Sequence, residues 1–241
     1  MKKMNKPDLP VATYEEVAAE YYDPVRHPTC ANFSELSTAF LHPRIRKYAA
    51  AGGNILEVGA GRSTVAPILP EQGVLLTRLT LLDQSARMLA YSRDWEQKGA
   101  RLLLGNACHT HLPGQGFRLV ASALGDPYNC PAFWREVARL LEPGGVCLFT
   151  TPAWEWATRF RPSEGEAHAE FVVAGGRTIL VPSKIPTPEQ QALMIAEAGL
   201  QSIDHEGLSA EKLSGPHSPK LLLDAATMRL PIVCGFTVRR I

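Results

Sequence analysis

Asn54-Ile55-Leu56-Glu57-Val58-Gly59-Ala60-Gly61-Arg62-Ser63 is the stretch on which the reading of the chain turns. The apolar run Ile55-Leu56 with Val58 has the length of a buried strand. It breaks into Gly59-Ala60-Gly61. Two glycines at a strand end permit a tight turn and let a ligand lie directly on the backbone. Ser63 or Thr64 can cap a helix over Val65 to Leu69, whose first N–H groups would point back at the turn. Strand, glycine turn and helix make a nucleotide-binding start, although Gly-x-Gly also occurs as plain punctuation. Two positions sharpen it. A dinucleotide fingerprint wants a glycine three residues after Gly61, and position 64 is threonine. Glu57 stands two residues before Gly59, and a carboxylate aimed at the turn repels a pyrophosphate but attracts a cationic ligand.

The second anchor is Leu79-Thr80-Leu81-Leu82, a second buried strand that ends in Asp83, 22 residues past Gly61. An acid there is the expected acceptor for ribose hydroxyls. Glu57, Gly59, Gly61 and Asp83 together resemble the class I S-adenosylmethionine-dependent methyltransferases, from about Tyr14 to about Pro152 and more loosely beyond. S-adenosylmethionine carries a sulfonium, an ammonium and no phosphate, which suits Glu57. The phrase Arg139-Leu140-Leu141-Glu142-Pro143-Gly144-Gly145, followed by an apolar strand, is also close to that pattern. Ser63 departs from it, because the family often has a further glycine there. The resemblance implies cofactor contacts from Tyr22, Glu57, Gly59, Ala60 and Gly61, from Asp83 and Gln84, and from Asn106, Ala107 and Ser122. Asn106 would meet the adenine, since its amide both donates and accepts.

Bulk properties narrow the partners. The 241 residues suffice for one α/β domain with a full core, and 45% apolar with 20% charged residues is ordinary for a soluble protein. A formal net charge of +1 gives no field to attract nucleic acid or an anionic membrane. The basic stretch Met1 to Lys6 is not followed by an apolar run, which argues against a signal peptide. No stretch approaches the length of a membrane span. Five cysteines without a Cys-x-x-Cys are expected to be reduced thiols, hence a cytoplasmic protein. His27, Cys30 and His42 match no zinc spacing, so no metal is expected.

Residues 1–12, with Pro7 and Pro10, read as a mobile tail. Thr13 and Glu16 form a capping box for a helix over Tyr14 to Tyr22, which folds over the cofactor in many small-molecule methyltransferases. Its aromatics could equally pack on the core. His27 to Phe33 reads as a polar loop, followed by helices over Phe33–Leu41 and Pro43–Ala51. After Asp83 a helix runs to about Lys98, then strands over Arg101–Leu104, Phe117–Leu124 and Val146–Thr151, with a helix from Pro131 before the last. Gly175-Gly176 sits inside a β-hairpin. Thr187-Pro188 opens a helix, Leu200–Ile203 is a sixth strand, Leu221–Met228 a helix and Ile232–Val238 the last strand.

The expected fold is α/β: a Rossmann-like, mostly parallel sheet with helices on both faces. The resemblance adds seven strands with the last antiparallel, within a single domain. That domain has a small N-terminal helical cap over 1–51, a cofactor-binding core over 52–152, and a hairpin insertion after the fifth strand with the end of the sheet over 153–241. Ligands would bind at the C-terminal strand ends, where Glu57, Gly59, Asp83, Asn106 and Asp126 fall.

The expected activity is methyl transfer from S-adenosylmethionine to a nucleophile on a small molecule. Asp126-Pro127-Tyr128-Asn129 resembles the Asn/Asp-Pro-Pro-Tyr motif of amino methyltransferases acting on nucleobases or glutamine amides, with one proline missing. That implies that Asp126, Tyr128 and Asn129 face the acceptor as catalytic residues. A flipped base would also need a positive track, which the net charge does not suggest. The alternatives are a nucleobase or amino-group methyltransferase and a non-catalytic S-adenosylmethionine sensor or subunit. Glu57 and Thr64 disfavour a nicotinamide oxidoreductase.

Overall fold

A computed structural model of the protein describes residues 9–161, 167–221, 224 and 227–241. Its strands are β1 (Ile55–Val58), β2 (Leu79–Asp83), β3 (Arg101–Leu104), β4 (Phe117–Ser122), β5 (Leu141–Pro152), β6 (His168–Val172), β7 (Thr178–Pro182), β8 (Leu200–Leu208) and β9 (Val233–Arg240). Its helices are α1 (Tyr14–Tyr21), α2 (Pro28–Ala49), α3 (Ile68–Glu71), α4 (Ala86–Leu89), α5 (Arg93–Gln97), α6 (Pro131–Leu140), α7 (Trp154–Ala157) and α8 (Pro188–Glu197).

Period-two alternation along four short strands builds two apolar faces. Ile55, Leu79, Leu81, Leu119, Ala121, Val146 and Leu148 share one core with Leu36, Phe40, Leu41 and Ile45 of α2. Leu56, Val58, Leu82, Val120, Cys147 and Phe149 share the other with Phe133, Trp134, Val137 and Leu140 of α6 and Ile195 of α8. Each such Leu, Ile or Phe contributes about 1.5–3 kcal/mol on burial, so helices on both faces are what this pattern demands. The seven-stranded sheet has the order β3-β2-β1-β4-β5-β9-β8. β1 to β5 are parallel, and β9 runs antiparallel between β5 and β8. This is the expected seven-stranded, mostly parallel fold, with its last strand antiparallel. β6 and β7 form the separate hairpin around Gly175-Gly176.

Several elements differ from their expected bounds. The two helices expected over 33–51 are one helix, α2, and the expected loop before them is its first turn. Pro28 opens it, and Pro43 sits exposed inside it. Buried Leu36, Phe40, Leu41 and Ile45 flank Pro43 on both sides, and their common burial against the sheet overrides the missing N–H. The helix expected at Val65 is helical only over α3, because the N–H groups of Thr64 and Val65 are taken by Glu57. The helix after Asp83 is broken into α4, a 3-10 turn at Ala90–Ser92, and α5. At that break the Ser92 hydroxyl bonds Gly61 O at 2.6 Å and Ser63 N at 3.1 Å. β4 stops at Ser122, two residues early, and β5 starts at Leu141 with a register irregularity opposite Phe117 and Leu119. β8 extends to Leu208.

The segment just ahead of α1 is tied down. Ala12 N donates to Leu180 O and Leu180 N to Pro10 O, both at 2.8 Å, so residues 10–12 of the expected tail pair with β7. Glu16 accepts from Thr13 N at 2.7 Å, as the capping box requires. Ala12 and Val17 pack on Phe171, Ile179 and Val181, joining α1 to the hairpin. Residues 1–8 of the expected tail, 162–166 of the insertion and part of the helix expected over 221–228 lie outside the described residues. Leu221 itself ends a 3-10 turn, and Thr227 and Met228 lie in a turn.

Candidate active site

The glycine turn is roofed by two tyrosines. Gly59 and Gly61 have φ of 64° and 40°, the region that side chains resist. A Cβ on Gly59 would collide with the Tyr128 hydroxyl, and one on Gly61 with the Tyr22 hydroxyl. The Tyr128 hydroxyl donates to Val58 O at 2.9 Å and pairs with Ser122 Oγ at 2.7 Å. The Tyr22 hydroxyl accepts from Arg62 N at 2.8 Å, and the Arg62 guanidinium lies 4.5 Å above the Tyr22 ring.

Two acids hold the turn from below. Asp83 Oδ2 accepts from Gly61 N at 3.0 Å and Oδ1 from Ser85 N at 2.9 Å, which links the ends of β1 and β2. Burial raises the Asp83 carboxyl above its usual range, against the N–H groups of Ser85 and Gly61 that pull it back. Glu57 accepts from Thr64 N at 2.8 Å, from Val65 N at 3.3 Å and from the Ser63 hydroxyl. Its carboxylate therefore closes the loop internally and lines neither of the two cavities described below, unlike the ligand-facing acid expected from its position. Burial pushes its carboxyl up to about 7. Ser63 Oγ donates to Glu57 and accepts from Ala66 N at 2.9 Å.

A cavity of about 360 Å³ opens at the C-terminal ends of β1, β2 and β3. Gly59, Ala60, Asp83, Gln84, Ala107, Tyr22 and Tyr128 line it, together with Tyr14, Tyr21, His42, Arg62 and Met88. A second cavity, of about 210 Å³, adjoins it and shares Tyr14, Tyr21 and Leu124 as walls. Leu124 has φ of 52°, strained for a leucine. It is held by Leu124 N to Thr150 Oγ1 at 2.9 Å and Gly125 N to Thr150 O at 2.8 Å. Thr150 is braced in turn by the Ser37 hydroxyl.

The second cavity contains Asp126, Arg161, Ser183, His27, Cys30, Trp156 and Phe171. Burial pushes the Asp126 carboxyl up to about 6, against the Ser183 hydroxyl and the Arg161 guanidinium, which favour its charge. Arg161 is fixed by donating to Ser183 O at 2.9 Å and Ser183 Oγ at 2.7 Å. The His27 ring stacks on Phe171 with centroids 4.0 Å apart. Among the described residues no group of three or more His, Cys, Asp or Glu is placed to hold a metal ion. His42 lines the larger cavity, while His27 and Cys30 line the smaller.

Of the residues singled out in the sequence, Tyr22, Gly59, Ala60, Asp83, Gln84, Ala107 and Tyr128 meet at the larger cavity. Gly61 lies under Tyr22, and Ser122 supports the Tyr128 hydroxyl. Glu57, Asn106 and Asn129 line neither cavity. Asn106 is exposed, its amide oxygen accepts from Cys108 N at 2.8 Å, and Ala107 lines the wall in its stead. Asn129 is buried, donating to Gln191 Oε1 at 2.7 Å and accepting from Trp134 Nε1 at 3.0 Å, and lines neither cavity. Tyr128 sits on the glycine turn rather than beside Asp126 in the second cavity. Sequence reasoning missed Leu124, Arg161 and Ser183. It also left Tyr14 undecided between core and ligand, although the seven-residue spacing of Tyr14 and Tyr21 puts both on one helix face.

Comparisons with known proteins follow this geometry. Residues 56–149 match a family model described as a methyltransferase domain. No curated protein matches the chain. An S-adenosylmethionine-dependent methyltransferase from Mesorhizobium loti is similar in fold, with 19% identity, a TM-score of 0.58, and 82% of this chain and 96% of that one covered. The PH0226 protein from Pyrococcus horikoshii is similar at 14% identity and a TM-score of 0.63, over 95% and 98% of the two chains. Geranyl diphosphate C-methyltransferase from Streptomyces coelicolor, solved with S-adenosylhomocysteine, is similar at 12% identity and a TM-score of 0.61, over 84% and 79%. Residues 56–149 thus match a methyltransferase domain, set in a seven-stranded fold shared with solved S-adenosylmethionine-dependent methyltransferases.

Proposed function

We propose that the larger cavity holds S-adenosylmethionine and that the smaller one takes the methyl acceptor, a small molecule presenting an amine or hydroxyl. The observation that carries this is Asp126, a buried carboxyl in a cavity divided from the larger one by Tyr14, Tyr21 and Leu124.

The residues fit the cofactor. Each Asp83 oxygen keeps lone-pair capacity beyond its bond to Gly61 N or Ser85 N for the ribose hydroxyls. The bare backbone at Gly59 to Gly61 lets the amino-acid part approach closely. Ala107 and Gln84 would flank the adenosine, and the rings of Tyr14, Tyr21 and Tyr22 offer π-faces to a sulfonium. Glu57 would act only through the loop it holds. When bound, the cofactor supplies an electrophilic methyl on a good leaving group.

What remains for the protein is alignment, exclusion of water and a proton sink. The tyrosines and Leu124 would fix the line of approach, and such orientation can supply about 7–11 kcal/mol. Asp126 would accept the proton that the acceptor's nucleophile loses, on a carboxylate oxygen whose charged form Ser183 and Arg161 favour. With a carboxyl at about 6, transfer should rise with pH through that value and level off above it. The test offers methyl-labelled S-adenosylmethionine with panels of small amines, phenols and hydroxy acids. Asp126→Asn should transfer label about a hundredfold more slowly or worse, with cofactor affinity within about twofold. An undiminished rate in that variant would remove Asp126 from the chemistry.

The reading treats residues 1–241 as one working unit. It is supported by cavity walls drawn from the cap (1–51), the core (52–152) and the remainder (153–241). Five free cysteines support a cytoplasmic setting. Among the described residues no helix is long and apolar enough to cross a membrane. A net charge of +1 favours a small acceptor over nucleic acid.

A further inference from the structure

Cys108 and Cys130 line neither cavity, yet each lies within two residues of a wall residue of the larger one. Cys108 follows Ala107, a wall residue, in the turn after β3. Cys130 caps α6, two residues after Tyr128, another wall residue. The two sulfurs lie 3.7 Å apart and both residues are half-buried, within reach of a small oxidant.

Their surroundings also differ from those of the other thiols. The Cys108 S–H and then the N–H groups of Phe133 and Ala132, at the open end of α6, hold the Cys130 thiol down at about 5. Burial pushes Cys30 up to about 11, Cys234 up to about 12 and Cys147 higher still. Cys130 is thus the more readily ionised thiol of a close pair, with the Cys108 sulfur at its side.

We propose that Cys108 and Cys130 form a reversible disulfide, made by a peroxide, that sets the shape of the cavity wall. The Cys130 thiolate attacks one peroxide oxygen, the O–O bond breaks, and the sulfur becomes a sulfenic acid as hydroxide leaves and is protonated. The Cys108 sulfur then attacks the sulfenic sulfur while losing its proton, the S–O bond breaks, and water departs. Two thiols and one hydrogen peroxide give one disulfide and two waters, with sulfur oxidised and peroxide reduced. A dithiol reverses the bond by exchange.

A disulfide needs its sulfurs at about 2.05 Å, so closing this one draws the two segments together. The strain falls on the turn held by Cys108 N to Asn106 Oδ1 at 2.8 Å, and on the segment from Tyr128 to Cys130. Ala107 and Tyr128 move with them, and Tyr128 rests on Gly59. Oxidation should therefore weaken cofactor binding, an effect that rests on the reading of the larger cavity, whereas the bond itself rests on the sulfur geometry.

The experiment treats the purified full chain with a small excess of hydrogen peroxide, then with a dithiol, and reads three quantities. Intact mass should fall by two hydrogens, and peptide mapping should join Cys108 to Cys130. Affinity for S-adenosylhomocysteine, by calorimetry, should drop about tenfold and return on reduction. Cys108→Ser should bind like the reduced protein and gain oxygen on Cys130 instead of losing hydrogens, with Cys130→Ser as the second, inert control. Oxygen addition to the native chain without a 108–130 link overturns the proposal. A mapped link with unchanged affinity overturns the coupling to the wall, and reduced protein that binds no S-adenosylhomocysteine overturns the cavity reading while the map still decides the bond.

Discussion

Asp83 does two things at once: it ties Gly61 and Ser85 together, and it faces the larger cavity. Asp83→Ala should lose about 1.5–3 kcal/mol of cofactor affinity, ten- to a hundredfold, for a charged hydrogen bond. Calorimetry on the folded variant reads it, and Asp83→Asn, which still offers an oxygen to Gly61 N, should lose less. Unchanged affinity in both would make Asp83 a hinge pin for the turn alone. At this scale the sequence told which residues gather but not where each side chain points. That Gly59 and Asp83 gather at the larger cavity was legible because strand ends and glycine turns leave marks in one dimension, whereas Glu57, also on a strand, turns its carboxylate into the loop. Asn106 and Asn129 line neither cavity because an amide so close to a turn or a helix start can spend its bonds locally, on Cys108 N or on Trp134, and Gln191 takes the Asn129 amide from 62 residues away. Arg161 and Ser183 reach Asp126 from distant stretches of the chain, and nothing local announces that.

Pro43 shows the same limit for elements. A proline after an apolar helical run reads as a boundary, yet α2 passes through it for 22 residues because its buried stripe continues. Pro43 is exposed and leaves one backbone carbonyl without its helical donor. Pro43→Ala should therefore raise stability by about 1 kcal/mol or more, read as a higher urea midpoint with an unchanged slope; a lower midpoint would mean that the proline is matched to a bend the helix needs. The strands were easier to find than the helices between them. Parallel strands buried on both faces appear as plain apolar runs, whereas the break between α4 and α5 follows from Ser92 bonding the glycine turn, a tertiary fact.

The molecule as a whole carries buried carboxyls that would prefer to be neutral. Glu57 at about 7 and Asp126 at about 6 stand above unfolded values of about 4. Between those values the folded chain binds more protons than the unfolded one, so stability falls as pH rises through about 4 to 7. Glu136 works the other way. Burial raises its carboxyl, but Arg139 and Thr110 outweigh that and hold it at about 2, so its contribution is lost as pH falls below about 4. Urea unfolding from pH 4 to 8 should show a maximum near the acid end and a decline of up to several kcal/mol by pH 8, on the order of 1.4 kcal/mol for each pH unit between an acid's folded and unfolded values. Glu57→Gln should flatten the decline, and a profile that rises from pH 5 to 8 would show both acids ionised at no cost.

The walls of the smaller cavity come from residues before 34 and after 123, and none from the stretch between. The glycine turn, Asp83 and Ala107 all fall inside that stretch. The two recognition tasks proposed for this chain are therefore written in largely separate parts of its coding text, which meet at the shared walls Tyr14, Tyr21 and Leu124. A lineage could rewrite the outer parts and acquire a new acceptor while the inner part, and the methyl donor it serves, passed down unaltered.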